Sequence, residues 1–216
     1  MATTGTKTVS AIVTAALRKM GVTAADEPAT AADMANGVEA LEMMLKSWQR
    51  EPHLDWTVTS GSVALTTGAN HTLSPVRPIR IVSARYKGTG GNEIPMVEMT
   101  RDQYDSLPNK TSTGVPTQFY YDRQREAAVL YVWPVMASVT TETIEYTYQR
   151  EIEDIAASTD TVDIPGEWYE CAVYNLADRM MIDYEIQKSA ITARAEYLWR
   201  ELVGAGRPES VFFNEV

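Results

Sequence analysis

Apolar residues in the first part of the chain recur at helical spacing. After Thr8, the positions Val9, Ile12, Val13, Ala16, Leu17 and Met20 fall on one face of a helix. Gly21 stands where a C-terminal glycine belongs. A polar stretch from Thr23 to Ala29 follows, and then a second periodic run of Met34, Val38, Leu41, Leu45 and Trp48. Thr30 with Asp33 reads as an N-cap pair, with the acid on the positive end of the macrodipole. This helix is predicted to end near Glu51, before Pro52. Two helices joined by a short loop predict an antiparallel hairpin.

The helical period is lost from about residue 55 to residue 150, where Gly, Thr, Val, Tyr and Pro dominate. Arg80 to Tyr86 reads as a strand from its β-branched and aromatic content. Gly88, Gly90 and Gly91 form a turn, and Glu93 to Val97 continues on its other side. Gln118 to Tyr121 and Val129 to Trp133 flank the polar turn Asp122 to Glu126, a hairpin pattern. Ile144, Tyr146 and Tyr148 alternate with Glu145 and Thr147, as in a half-buried strand. Six to eight short strands are predicted in this segment. Thr100, with Gln103 three residues on, predicts a short capped helical turn.

Helical spacing returns in the last part. Asp163 reads as an N-cap followed by Pro165 in the first turn, ahead of the stripe Tyr169, Ala172, Val173, Leu176, Ala177 and Met180. Ile191, Ala195, Leu198 and Leu202 form a fourth stripe, which Gly204, Gly206 and Pro208 are expected to stop. The pattern predicts an α+β chain: a four-helix core made from the N- and C-terminal helix pairs, with an inserted antiparallel β domain. The boundaries are an N-terminal helical pair at 1–54, the β insertion at 55–150, a C-terminal helical pair at 151–204 and an extended tail at 205–216.

Composition narrows the classes of function. Of 216 residues, 44% are hydrophobic and 22% charged, which is ordinary globular usage and excludes collagen, coiled coil and full disorder. The single cysteine, Cys171, cannot pair within the chain, so a disulfide scaffold is excluded. No apolar run approaches the roughly 18 residues of a membrane span, and the N-terminus lacks the basic start of a secretory signal. A soluble, intracellularly made protein with no membrane partner is expected. The net charge of −10 argues against a broad nucleic-acid-binding surface, which needs a clustered positive field.

Little in the sequence assembles into chemistry. The two histidines, His53 and His71, have no second ligand at metal-binding spacing and read as solvated loop residues. Cys171, beside a Tyr/Ala/Val stripe, has no neighbouring histidine and reads as core. Gly88 to Gly91 lacks the Gly-Lys-Ser/Thr ending of a phosphate loop. No catalytic residue, metal or cofactor is therefore assigned. Glu151, Glu153 and Asp154 would serve a glycan hydrolase only if two of them faced each other across a cleft. Arg85, Lys87, Arg123 and Arg125 are candidates for contact with DNA phosphates or a neighbouring molecule. The tail carries Arg207, Val211, Phe212, Phe213 and Val216 after the last helix. Adjacent phenylalanines without a local period mark a contact with a partner.

Several strings, in order, resemble the head-to-tail adaptors of tailed bacteriophages, also called head-completion or packaged-DNA stabilisation proteins. AALRKMGV (residues 15–22), an acidic loop and ALEMMLKSWQRE (40–51) resemble that family's first two helices. LPNKTSTGVPTQFYYDRQREAAVLYVWPVMA (107–137) is similar to its stretch of small loop, Gly-x-Pro, tyrosine strand, turn and strand ending in x-Pro. IEYTYQREIEDI (144–155) and DIPGEWYECAVYNLADRMMIDY (163–184) resemble its closing strand and third helix. The resemblance implies a non-enzymatic virion protein of the neck, at the portal vertex, made in the host bacterial cytoplasm. It implies binding to the portal protein as a twelve-copy ring of the chain itself. That ring would extend the DNA ejection channel, help retain packaged DNA and offer a docking surface to a downstream tail or nozzle protein. Double-stranded DNA would pass without sequence-specific binding, and an acidic chain suits a channel in which DNA must slide. In this reading the C-terminal segment, with Phe212 and Phe213, docks on the portal. Two other classes compete with it: a virion-associated carboxylate-based glycan hydrolase, and a non-viral β-rich binding module.

Overall fold

The computed structural model describes residues 7–51, 54–75, 77–139 and 141–205, and within them the chain is a mixed α+β protein with five α-helices and seven strands. The helices are α1 (Val9–Met20), α2 (Ala31–Trp48), α3 (Arg101–Asp105), α4 (Tyr169–Met180) and α5 (Ser189–Ala205). The strands are β1 (Val58–Ala64), β2 (Asn70–Thr72), β3 (Arg80–Lys87), β4 (Glu93–Glu98), β5 (Gln118–Asp122), β6 (Val129–Trp133) and β7 (Thr143–Gln149). The chain divides into two compact units, one running up to Trp56 and from Ile152 onward, the other spanning 57–151.

Local chemistry sets most helix ends. The Thr8 hydroxyl accepts the Ala11 N–H at 3.3 Å and opens α1. Gly21, at φ 79°, closes it, with its N–H on the Arg18 carbonyl. Thr30 Oγ1 accepts the Asp33 N–H at 3.1 Å and donates to Asp33 Oδ2 at 2.6 Å. Thr100 and Gln103 complete a capping box at α3. Two ends differ from the sequence reading. Asp163 does not cap α4: its Oδ2 accepts the Glu153 N–H at 3.1 Å instead. A 3₁₀ turn, Gly166–Trp168, follows Pro165, and α4 begins only at Tyr169. Gly204 does not stop α5, which runs through it to Ala205. One glycine in a helix costs about 1 kcal/mol, too little by itself to end a helix that is packed on one side. Gly206 and Pro208 lie outside the described residues.

In the helical unit, α4 packs against α1, α2 and α5. Its buried face is small (Cys171, Ala172, Ala177), which lets its neighbours approach closely, while Leu176 and Met180 fill the remaining space. The side chains expected from the α1 stripe are all buried. Trp48, Trp56, Trp168 and Trp199 close one part of this core, with ring centroids 4.7 to 5.8 Å apart between the touching pairs. Gly37, on the buried face of α2, meets α1: a Cβ there would lie 2.3 Å from Val13 Cγ1.

In the β unit the strand order is β1-β7-β3-β4-β5-β6-β2. Five of the six pairings are antiparallel, but β4 and β5 run parallel, which corrects the wholly antiparallel expectation. The connection from β4 to β5 carries α3 and a loop, long enough for a crossover that a tight hairpin cannot make. Ile81, Ala84, Tyr86, Met96, Ile144 and Tyr146 point to one core. Tyr104, Tyr120 and Met99 form a smaller one on the other face of β5, beneath α3.

His71 is buried at 3% exposure in β2, against the solvated-loop expectation, while His53 lies outside the described residues. Its Nε2 accepts the Thr66 N–H at 3.1 Å, which leaves the ring proton on Nδ1. Burial holds its pKa below the ordinary 6.5, against the opposing pull of the Ala69 and Leu130 backbone. The neutral form is thus favoured by folding. Its contribution is complete above about pH 6.5 and shrinks as pH falls below that value. Urea titrations of the wild type at about pH 7.5 and 5.5 will show a loss of stability that His71→Gln shows to a lesser degree. Equal losses in the two proteins would contradict the assignment.

Gly37→Ala will destabilise the helical unit, because overpacking of about 1–3 kcal/mol exceeds the helix-propensity gain at so short a contact. Combined with Val13→Ala, the two costs will sum to less than their separate values in thermal or urea unfolding, since each substitution relieves the other.

Candidate assembly surfaces

The β register decides what the basic residues of β3 can do. Arg85 stands opposite Glu145 of β7, and Lys87 opposite Glu93 of β4. Residues two apart on a strand share a face, so the four charges lie together on the solvent side. Arg85 Nε reaches Glu93 Oε2 at 2.6 Å, as a charge contact and not an aligned hydrogen bond. Lys87 Nζ lies 3.5 Å from Glu145 Oε1. Each such half-exposed pair is worth no more than about 1 kcal/mol. Their effect on function is larger, because the cluster carries no net charge to offer a phosphate.

Other cations of the β unit are also engaged. Arg77 donates to Glu151 Oε1 at 2.6 Å and to the Gln124 carbonyl at 2.8 Å. Arg101 donates to Asp122 Oδ1 at 2.6 Å and lies 5.5 Å from the Tyr120 ring centroid. Arg123 and Arg125, in the exposed β5–β6 turn, have no ion pair among the described residues. The structure therefore separates the four sequence candidates into a neutralised pair on β3 and an open pair in a turn.

Tyr120 does not project toward a ligand. It stacks on Tyr104 at 5.4 Å and on its cross-strand partner Tyr131 at 5.8 Å. Tyr121 donates to the Pro78 carbonyl at 2.5 Å, and burial pushes its hydroxyl up to about 12. Both rings serve as structural fillers of the β unit.

Two of the three candidate carboxylates, and the thiol, are also engaged. Glu151 is held by Arg77, and Asp154 by Lys46, which also donates to the Ile152 carbonyl at 2.6 Å. Cys171 is fully buried, with its thiol pushed up to about 12 chiefly by desolvation, and Asn175 Nδ2 donates to its sulfur at 3.3 Å. A thiol so protonated is no nucleophile. Among the described residues no three His, Cys, Asp or Glu side chains converge as metal ligands, and no helix is long and apolar enough to cross a membrane.

Sequence reasoning missed two grooves of the helical unit. The first, of about 380 Å³, runs between α1 and α4 over Ala11, Ala15 and Val173, with Lys7, Lys19 and Glu170 on its rim. The second, of about 490 Å³, lies where Met34, Ala35 and Val38 of α2 meet Ala156, with Glu39 and Glu42 on its rim. The available signal was that Ala11 and Ala15 extend the α1 apolar stripe beyond the buried face. The tail residues Arg207, Val211, Phe212, Phe213 and Val216 lie outside the described residues.

Comparison with known proteins adds the family. The profile of the SU10 adaptor protein family matches residues 7–209. No curated protein gives a match. Among solved structures, a chain from the neck of an empty GTA particle aligns over 94% of this chain and 93% of that one. The two are 13% identical, with a TM-score of 0.29. The family match spans nearly the whole sequence, and the chain belongs to the SU10 adaptor protein family.

Proposed function

We propose that this member of the SU10 adaptor family is a structural head-to-tail adaptor of a tailed phage, placed in the virion neck at the portal vertex. The observation that carries the reading is the family match across residues 7–209. In this reading the chain binds the portal protein as a ring of twelve copies, lengthens the DNA channel and helps to retain packaged DNA. The ring also presents a surface to the next tail or nozzle protein. The helical unit supplies the contacts between copies.

A non-enzymatic role is supported by what holds the polar groups. A glycan hydrolase needs one carboxyl kept protonated and another free to attack or to activate water. Glu151 pairs with Arg77 and Asp154 with Lys46, and with side chains 42% and 79% exposed neither sits in the apolar pocket that keeps a catalytic acid protonated. For DNA, the net charge of −10 favours sliding over sticking. Arg123 and Arg125 are the basic positions left open for a phosphate or a neighbouring subunit, while Arg85 and Lys87 would first have to leave their acidic partners.

The portal-docking segment in this reading is the tail, through Arg207, Val211, Phe212, Phe213 and Val216. Fully enclosing a phenylalanine in a partner is worth about 1.5–3 kcal/mol, and a ring repeats the gain in every copy. Phe212→Ala with Phe213→Ala will sharply weaken portal attachment in a co-sedimentation assay and leave the melting temperature nearly unchanged. A large loss of stability with portal binding retained would overturn the docking assignment.

Ring closure has to wait for a full capsid, so the portal acts as the template. In dilute solution without portal, light scattering will report monomer or weak, concentration-dependent association. A stable dodecamer under those conditions would refute the templating step.

A further inference from the structure

A ring built from one kind of chain needs two different surfaces on each copy that fit each other. The helical unit carries a pair with the required chemistry. The groove between α1 and α4 has an apolar floor and two rim lysines, Lys7 and Lys19, both exposed and without an acidic partner among the described residues. Its acid, Glu170, is already bound to Arg194 at 2.9 Å. Lys188 adds to the positive side, its Nζ lying 3.4 Å from the Lys19 carbonyl. The groove on α2 has the opposite sign. Glu39 and Glu42 rim an apolar floor, and neither has a cation among the described residues. Lys46, one turn beyond Glu42, is engaged by Asp154 and the Ile152 carbonyl.

We infer that these two grooves are the two halves of one head-to-tail contact, in which the lysine-rimmed groove of one copy takes the glutamate-rimmed flank of α2 from the next. Charge decides against the self-matched arrangement. Bringing either groove against its own copy on another subunit sets lysine against lysine, or glutamate against glutamate. Joining unlike grooves instead pairs all four charges around a shared apolar floor. The grooves share no lining residue, and a head-to-tail contact between unlike surfaces propagates from copy to copy, as a ring when the rotation closes. The Lys19 ammonium lies 5.1 Å from the centroid of the Tyr174 ring, which lines the same groove. The inference rests on the ring assembly proposed above and names the surface that would make it.

The test uses the full-length chain at the highest concentration it tolerates, as an equal mixture of ¹⁵N-labelled and unlabelled protein. A carbodiimide joins a carboxylate to a lysine in contact with it. The amide forms with loss of one water, which the carbodiimide takes up as a urea. Mass spectrometry then separates links between copies from links within one. The expected links join Lys7 or Lys19 of one copy to Glu39 or Glu42 of another, and their yield falls as salt rises. Charge reversal of one groove, Lys7→Glu with Lys19→Glu or Glu39→Lys with Glu42→Lys, will lower the association constant about tenfold in sedimentation at low salt. Reversing both grooves in the same chain restores the pairing and will return the constant to within about threefold of wild type. Links between copies at other sites, or association indifferent to either reversal, would overturn this contact and leave ring assembly standing. A complete lack of links between copies at a concentration where sedimentation shows association would likewise overturn this contact, while the portal-templated ring is tested separately by portal co-sedimentation.

Discussion

The helical unit depends on packing two ends of the chain that are far apart in sequence. Neither pair of helices completes a core by itself: α4 lies against α1 and α2 as well as α5, and Trp48 meets Trp168 and Trp199. The polar ties have the same span. Arg179 donates to Ser47 across 132 residues, and Tyr184 to Asp33 across 151. Closing so long a loop costs entropy, but that cost rises only about 0.6 kcal/mol for each doubling of length. The burial of Leu17, Leu41, Leu176 and Met180, each at 0% exposure, is far larger. A long insertion is therefore tolerable so long as the small residues on α4 keep their neighbours close.

The insertion has its own requirements. Its sheet buries one face of β3 and β7 through alternating residues, and register then fixes the other face. With Tyr86 and Tyr146 inward, Arg85 and Glu145 must face outward and oppose each other. The ion pairs on that face are thus by-products of the register that the core demands. This explains how a strand rich in basic residues ends up presenting almost no net charge.

Function follows from the same economy. Glu151 and Asp154 are paired with Arg77 and Lys46, and the thiol is sealed in the core. Among the described residues, the uncommitted surface includes two grooves on the helices and a turn with two arginines. The adaptor role rests on the family match, and these open surfaces are compatible with it.

The helical stripes were legible because helix periodicity is a local property: Val9 to Met20 buried the side chains that their spacing implied, and Thr30 and Thr100 capped the helices they precede. The β5–β6 hairpin and the glycine turn after β3 were legible for the same reason, since turn chemistry acts over a few residues. Family membership was readable from the order of several short strings, none specific by itself. Other features needed the tertiary structure. His71 looked solvated in a polar neighbourhood, and pairing with β6 buried it. The parallel β4–β5 pair depends on where a crossover lands, which no local pattern encodes. Asp163 had the composition of a cap, but the Glu153 N–H claimed it first. The partners of Arg85 and Lys87 come from strands on either side, and the two grooves from helices or loops distant in sequence. A sequence states what each segment prefers within a few residues, whereas a charge or a groove takes its meaning from neighbours that only the folded chain brings near.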